Sequence, residues 1–161
     1  MHLTISAIGK LRKSDPRAAL IDDYVARIEQ TGRGLGFSGM TLTAQEAPKG
    51  VSGAVCQEKE TALILDSVPE RARLIVLDER GSDLQSVDFA HKLENWRDQG
   101  VGHTVLAIGG ADGHTDQMRT RADLMIRFGK ATWPHMMVRL MACEQLYRAM
   151  TILAGHPYHR A

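Results

Sequence analysis

Cysteine is scarce in this chain, with only Cys56 and Cys143 among 161 residues. They stand far apart and match no C-x-x-C or metal-ligand spacing, which argues against a disulfide scaffold, a zinc ribbon or a dithiol redox site. Both are expected as buried free thiols in a reducing compartment. No stretch approaches the roughly 20 consecutive apolar residues that span a bilayer. The opening MHLTISAIGK has neither a basic leader nor a long apolar run, so a soluble cytoplasmic protein with no membrane partner is the expectation. Chemical signatures are missing too. There is no H-E-x-x-H, and His2, His91, His103 and His114 share no ligand spacing, so no metal is expected. A hydrolase triad has no support without a G-x-S-x-G elbow. The glycine pair in IGGADGH fits neither the dinucleotide fingerprint nor a Walker loop.

What is present is ordinary in bulk and uneven in detail. Hydrophobic residues make up 43% and charged residues 24%, the balance of a soluble globular chain. The length suits one domain over 1–161, with no appended RNA-binding domain. Net charge is only +1, yet from Arg119 onward seven basic residues face Asp123 and Glu144. That segment carries +5 and the remainder −4, an asymmetry that permits an anionic partner toward the C-terminal end.

Strand and helix signals alternate along the chain. HLTISAI (2–8) reads as a strand ending at Gly9. Asp15-Pro16 opens a helix carrying Leu20, Ile21, Tyr24, Val25 and Ile28 at helical spacing. TGRGLGFSG (31–39) reads as a loop, MTLTAQEA (40–47) as a half-buried strand and 54–67 as a helix. RLIVLDER (73–80) and HTVLAIGG (103–110) are continuous apolar runs, the pattern of buried parallel strands. Ser86 is expected to cap a helix running to about Gln99. A short helix near 115–122, a strand LMIRF (124–128) and a long helix from Pro134 to about Leu153 complete the chain. Such alternation predicts an α/β domain with a largely parallel sheet flanked by helices.

In open α/β sheets ligands bind at the carboxyl ends of the strands. Three loops qualify: LDERGSD after Leu77, IGGADGH after Ile108 and FGKATWPH after Phe128. At Gly109-Gly110 the missing side chains would let a ligand lie against backbone, or merely allow a tight turn. In FGKATWPH, small residues between Phe128 and Trp133 offer backbone groups and apolar walls to a planar ring; a helix-entry turn fixed by Pro134 is the plainer reading. The chain closes on GHPYHRA, unusually well furnished for a terminus. A final helix of about 18 residues is roughly 27 Å long, which would hold this tail far from FGKATWPH in the same chain. Antiparallel pairing of two final helices would bring one tail to the partner's pocket; a tail docked on its own chain is the alternative.

Taken together, LIVLDERG, LAIGGADG, KATWPHMMVRLMACEQLYRAMTI and HPYHR occur in order and at matching spacing, and they closely resemble the bacterial ribosomal RNA large subunit methyltransferase H family, minimal members of the SPOUT methyltransferases. The resemblance covers essentially the whole chain and is weakest over 12–68. It implies an α/β fold with a C-terminal trefoil knot, a homodimer, and S-adenosylmethionine as cofactor without a metal. It further implies methylation of N3 of pseudouridine-1915 in helix 69 of 23S rRNA within the assembled ribosome. Cofactor contacts are implied at Leu77, Gly109, Phe128, Gly129, Lys130, Ala131, Thr132 and Trp133. The terminal Tyr-His-Arg falls on Tyr158, His159 and Arg160, the implied catalytic group. Where the family has G-G-P-E-G or G-G-S-x-G, this chain has Gly109-Gly110-Ala111-Asp112-Gly113. A non-catalytic ribosome-binding relative and a SPOUT enzyme acting on tRNA are the alternatives.

Overall fold

The pleat sorts the apolar runs of the central strands onto two faces. In strand β4 (His103–Ile108), Leu106 and Ile108 join one hydrophobic cluster, while Val105 and Ala107 join another. Strand β3 (Arg73–Asp83) divides the same way, with Ile75 on the first face and Leu74 and Val76 on the second. A strand that buries both faces needs helices on both sides. In the computed structural model, which describes residues 1–12 and 14–159, the chain supplies them.

The remaining elements are β1 (His2–Ile8), α1 (Pro16–Arg33), β2 (Gly39–Gln45), α2 (Gly53–Asp66), α3 (Ser86–Asp98), α4 (Asp116–Arg121), β5 (Leu124–Arg127) and α5 (His135–Leu153). The sheet runs β2-β1-β4-β3-β5 and every pairing is parallel. Helices α1, α3 and α5 cover one face through Ile21, Ile28, Phe89, Leu93, Trp96, Leu146 and Met150. Helices α2 and α4 cover the other through Ile64 and Met118. Each fully buried aliphatic side chain of this kind contributes about 1.5–3 kcal/mol.

Local chemistry explains most boundaries. Asp15 caps α1 by accepting the Arg17 amide at 2.9 Å, with Pro16 at the first helical turn. Two expectations are corrected. The loop predicted from Thr31 starts only after Arg33, because buried Gly32 lets α1 continue against Phe37. Ser86 is the first residue of α3 rather than its cap, and its hydroxyl donates to Gln145 Oε1 at 2.9 Å.

Strand β3 contains a break that the apolar pattern conceals. Leu77 and Ser82 both stand opposite Ile126 of β5, so residues 78–81 leave the ladder and the chain rejoins it beyond. Gly81 lies directly on the Ile126 backbone, where a Cβ would come within 2.5 Å. From β5, at the sheet's edge, the chain returns to place α5 against both α1 and α3.

Candidate active site

Three strand ends converge. Leu77 stands beside Ile108 of β4 and Ile126 of β5, so the segments 78–81, 109–114 and 128–134 leave the sheet side by side at its carboxyl edge. This is the crevice where α/β sheets bind ligands. In the last segment Phe128 is half-buried while Gly129 through Pro134 are exposed. Gly129 takes φ +76°, a turn that suits glycine. The Trp133 indole N–H donates to the Phe128 carbonyl at 2.9 Å and closes the loop, with Trp133 still 44% exposed. Arg127 pairs with Asp83 at 2.7 Å. Its guanidinium, aided by the Gly129 amide, holds the Asp83 carboxyl below the usual range. The residues expected to contact a cofactor, Leu77, Gly109 and Phe128 to Trp133, thus border one edge.

The glycine pair is built differently from the expectation of an open backbone surface. The Gly109 N–H donates to Nε2 of His114 at 3.1 Å, and the Gly110 N–H donates to Oε2 of Glu60 at 3.1 Å. A Cβ on Gly109 would meet the His114 ring at 3.0 Å, and one on Gly110 would stand 2.8 Å from the Glu60 carboxyl carbon. Space left by the absent side chains is therefore filled by this chain's own polar groups. Burial holds the His114 pKa below its ordinary value, against the pull of Asp78 and the Leu77 carbonyl. Asp78 accepts the Arg119 Nε–H at 2.9 Å and the Arg80 amide at 2.8 Å. Asp112 is exposed and touches α2 through its carbonyl, which accepts from the Gln57 side chain.

Behind Gly109, α5 brings in His135 and Arg139. The Gly109 carbonyl faces the His135 ring, whose pKa burial lowers. Arg139 is fully buried and donates through Nη2 to the carbonyls of Ile8 and Gly9 at 3.1 and 2.8 Å. Its Nε and Nη1, and Nε2 of His135, have no partner among the described residues.

The tail docks on its own chain, the alternative to pairing across two final helices. It folds back along α5, where the Tyr158 hydroxyl lies 3.3 Å from Glu144 Oε1 and its ring meets Tyr147 edge-on at 4.9 Å. The Arg148 guanidinium covers the Tyr158 ring at 5.1 Å. Burial, with Tyr24 and Glu144 nearby, pushes the Tyr158 hydroxyl up to about 12. Glu144 and Phe128 both line an apolar groove of about 290 Å³ with Leu20, Tyr24, Leu140 and Met141. Phe128, which opens the loop, and Glu144, which Tyr158 meets, thus line the same groove. His159 is half-buried with Nδ1 unpartnered among the described residues; Arg160 lies outside the described residues.

Sequence reasoning missed Glu60, Arg139 and the placement of His114 beneath the glycines. For Arg139 a signal existed, since a lone arginine interrupts the apolar run MMVRLMAC. Glu60 gave none, because a glutamate in a surface-like helix looks solvated. Among the described residues no cluster could hold a metal ion, and no helix is long and apolar enough to cross a membrane.

Comparison with known proteins agrees with this geometry. Residues 1–159 match the family described as "Predicted SPOUT methyltransferase". A protein of Rhodopseudomonas palustris (strain BisA53), named "Ribosomal RNA large subunit methyltransferase H", is 48% identical over 161 residues and the whole of both chains. Proteins of the same name from Bradyrhizobium diazoefficiens and Cereibacter sphaeroides (strain KD131) are 47% identical over all of both chains and 51% identical over 99% of each. The chain belongs to the SPOUT methyltransferase family and, within it, to the ribosomal RNA large subunit methyltransferase H proteins.

Proposed function

We propose that this protein methylates N3 of the pseudouridine in helix 69 of 23S rRNA, using S-adenosylmethionine and acting on the assembled ribosome. The observation that carries this reading is the meeting of Leu77, Gly109 and the 128–133 loop at one sheet edge, in a chain matched end to end by relatives named for ribosomal RNA methylation. The residues fit the cofactor. Phe128 and Trp133 offer apolar walls, the small residues 129–132 expose backbone donors and acceptors, and His135 brings an unpartnered buried nitrogen to the Gly109 side. The cofactor supplies an electrophilic methyl on a sulfonium, so the protein's work is alignment and proton management.

The acceptor N3 carries a proton that must leave. His159 is the group for it, an imidazole whose Nδ1 has no partner among the described residues. Tyr158 stacks on the base, and Arg160 answers the charge developing on the uracil oxygens. The groove bounded by Leu20, Tyr24, Leu140 and Met141 supports a homodimer in which each tail completes the partner's site. The break in β3 at Gly81 and the return of α5 from the edge strand support the C-terminal trefoil knot within a single domain.

Mass spectrometry of helix 69 after incubating unmodified ribosomes with enzyme and cofactor tests the reaction; an unmethylated N3 would overturn it. Mixing two inactive variants tests the shared site, one lacking residues 158–161 and one disabled in the 128–133 loop. A site shared across protomers regains activity in the mixture, whereas a site built within one chain stays silent.

A further inference from the structure

The glycine pair at the end of β4 looks like a surface cleared for a ligand, yet its cleared side is occupied by the chain itself. Glu60 is 5% exposed and His114 4% exposed, and neither takes part in the chemistry proposed above. Both are acceptors for consecutive backbone amides, at 3.1 Å in each case. Two further contacts tie the same loop to α2: Thr61 with Thr115, hydroxyl to hydroxyl at 2.8 Å, and the Gln57 side chain to the Asp112 carbonyl.

We propose that Glu60 and His114 are positioning residues for the cofactor, fixing the Gly109-Gly110 backbone so that its opposite side presents the geometry the cofactor needs. The inference rests on reading this sheet edge as the S-adenosylmethionine site. Its logic is directional. A backbone amide whose N–H is spoken for on the α2 and α4 side cannot turn that N–H toward the crevice. The pair therefore offers no anion cradle, unlike glycine loops whose amides all face a phosphate. The Gly110 carbonyl is taken as well, accepting the Gly113 N–H at 3.2 Å, and the Gly109 carbonyl faces His135. What remains for the ligand is the carbon face of the backbone, a surface suited to a neutral ring. Buried acceptors hold such an orientation firmly, because an amide left without its partner in the interior loses far more than an exposed one. His114 also faces the Leu77 carbonyl, so one ring spans two of the strand ends that border the crevice.

Calorimetric titration of purified protein with S-adenosylmethionine, together with steady-state kinetics on ribosomes, separates the possibilities. His114→Leu and Glu60→Met keep bulk and remove the acceptors. Each is expected to weaken cofactor binding about tenfold and to raise KM for the cofactor by the same factor, with kcat at saturation nearly unchanged. His114→Gln and Glu60→Gln keep an oxygen where the amide points and are expected to restore affinity to within about threefold of wild type. Gly110→Ala is the independent probe should an apolar variant fail to fold, since its new methyl displaces the loop from Glu60 without removing either acceptor; it too is expected to weaken binding. Wild-type affinity in the apolar variants and in Gly110→Ala would overturn the inference, as would equal losses in apolar and glutamine variants. A wild-type protein that does not bind the cofactor at all would overturn the site assignment itself.

Discussion

Arg139 places a guanidinium in the interior with no carboxylate against it among the described residues. Among the described residues only Nη2 is engaged, by two backbone carbonyls at the end of β1, and burial depresses the pKa of Arg139. A buried charge held this way is weak support for stability. Arg139→Met, which keeps the stem and drops the charge, is expected to stay within about 1 kcal/mol of wild type in chemical denaturation. Arg139→Ala leaves a cavity and is expected to cost about 2–5 kcal/mol. His159→Ala belongs to the same scale with a different signature. Removing the proposed base should cut turnover by about 100-fold or more while calorimetric cofactor affinity stays near wild type. Equal losses in both would remove His159 from that role.

Between elements, the decisive contact is Gly81 on the Ile126 backbone. An alanine there must push two chain segments apart, and the neighbour is backbone rather than a side chain that can rotate. Gly81→Ala is expected to destabilise by about 1–3 kcal/mol or more, read as a drop in melting temperature, whereas Gly102→Ala, which has open space around it, should be tolerated. The contrast also shows where sequence reading stops. Strands and helices were legible because pleat and helical period are local, and the run RLIVLDER announces a buried strand whatever it pairs with. The break after Leu77 was not legible, because it exists only in relation to β5, more than forty residues away. At the site, FGKATWPH and the glycine pair could be placed at strand ends from pattern alone. Why the glycines are glycines could not, since the answer is a glutamate from α2 and a histidine five residues on. A tail docked on its own chain was one of the readings the sequence left open, but its partner Glu144 was not legible, because a helix length says nothing about the turn that follows it.

At the scale of the whole molecule, titration ties the site to stability. Burial lowers the pKa of His103, His114 and His135 below the ordinary 6.5. A histidine held neutral in the fold takes up its proton more readily once the chain unfolds, so the unfolded state binds more protons as pH falls below about 6.5. Stability is therefore expected to decline with acidification from that point and to level off below the folded values. A second decline follows at lower pH from carboxylates that the fold keeps ionised. Asp123 is held low by the Leu74 amide and Arg73 in spite of burial, and Asp83 by Arg127. Asp15, half-buried at the start of α1, is lowered to about 2 by its hydrogen bonds to Arg17. Melting temperature measured from pH 8 to pH 4.5 checks the first limb. His114 is faced by Asp78, Arg119 and the Leu77 carbonyl; burial, joined by Arg119, outweighs the pull of Asp78 and Leu77. His114→Gln cannot take up a proton, so it should show a shallower fall across that range than the wild type. Cofactor affinity should follow the same course, because a proton on Nε2 would set a donor against the Gly109 N–H and turn the loop. An affinity that weakens with acid in the wild type but holds level in His114→Gln would place the titrating group at this ring, and parallel pH curves for the two proteins would exclude it.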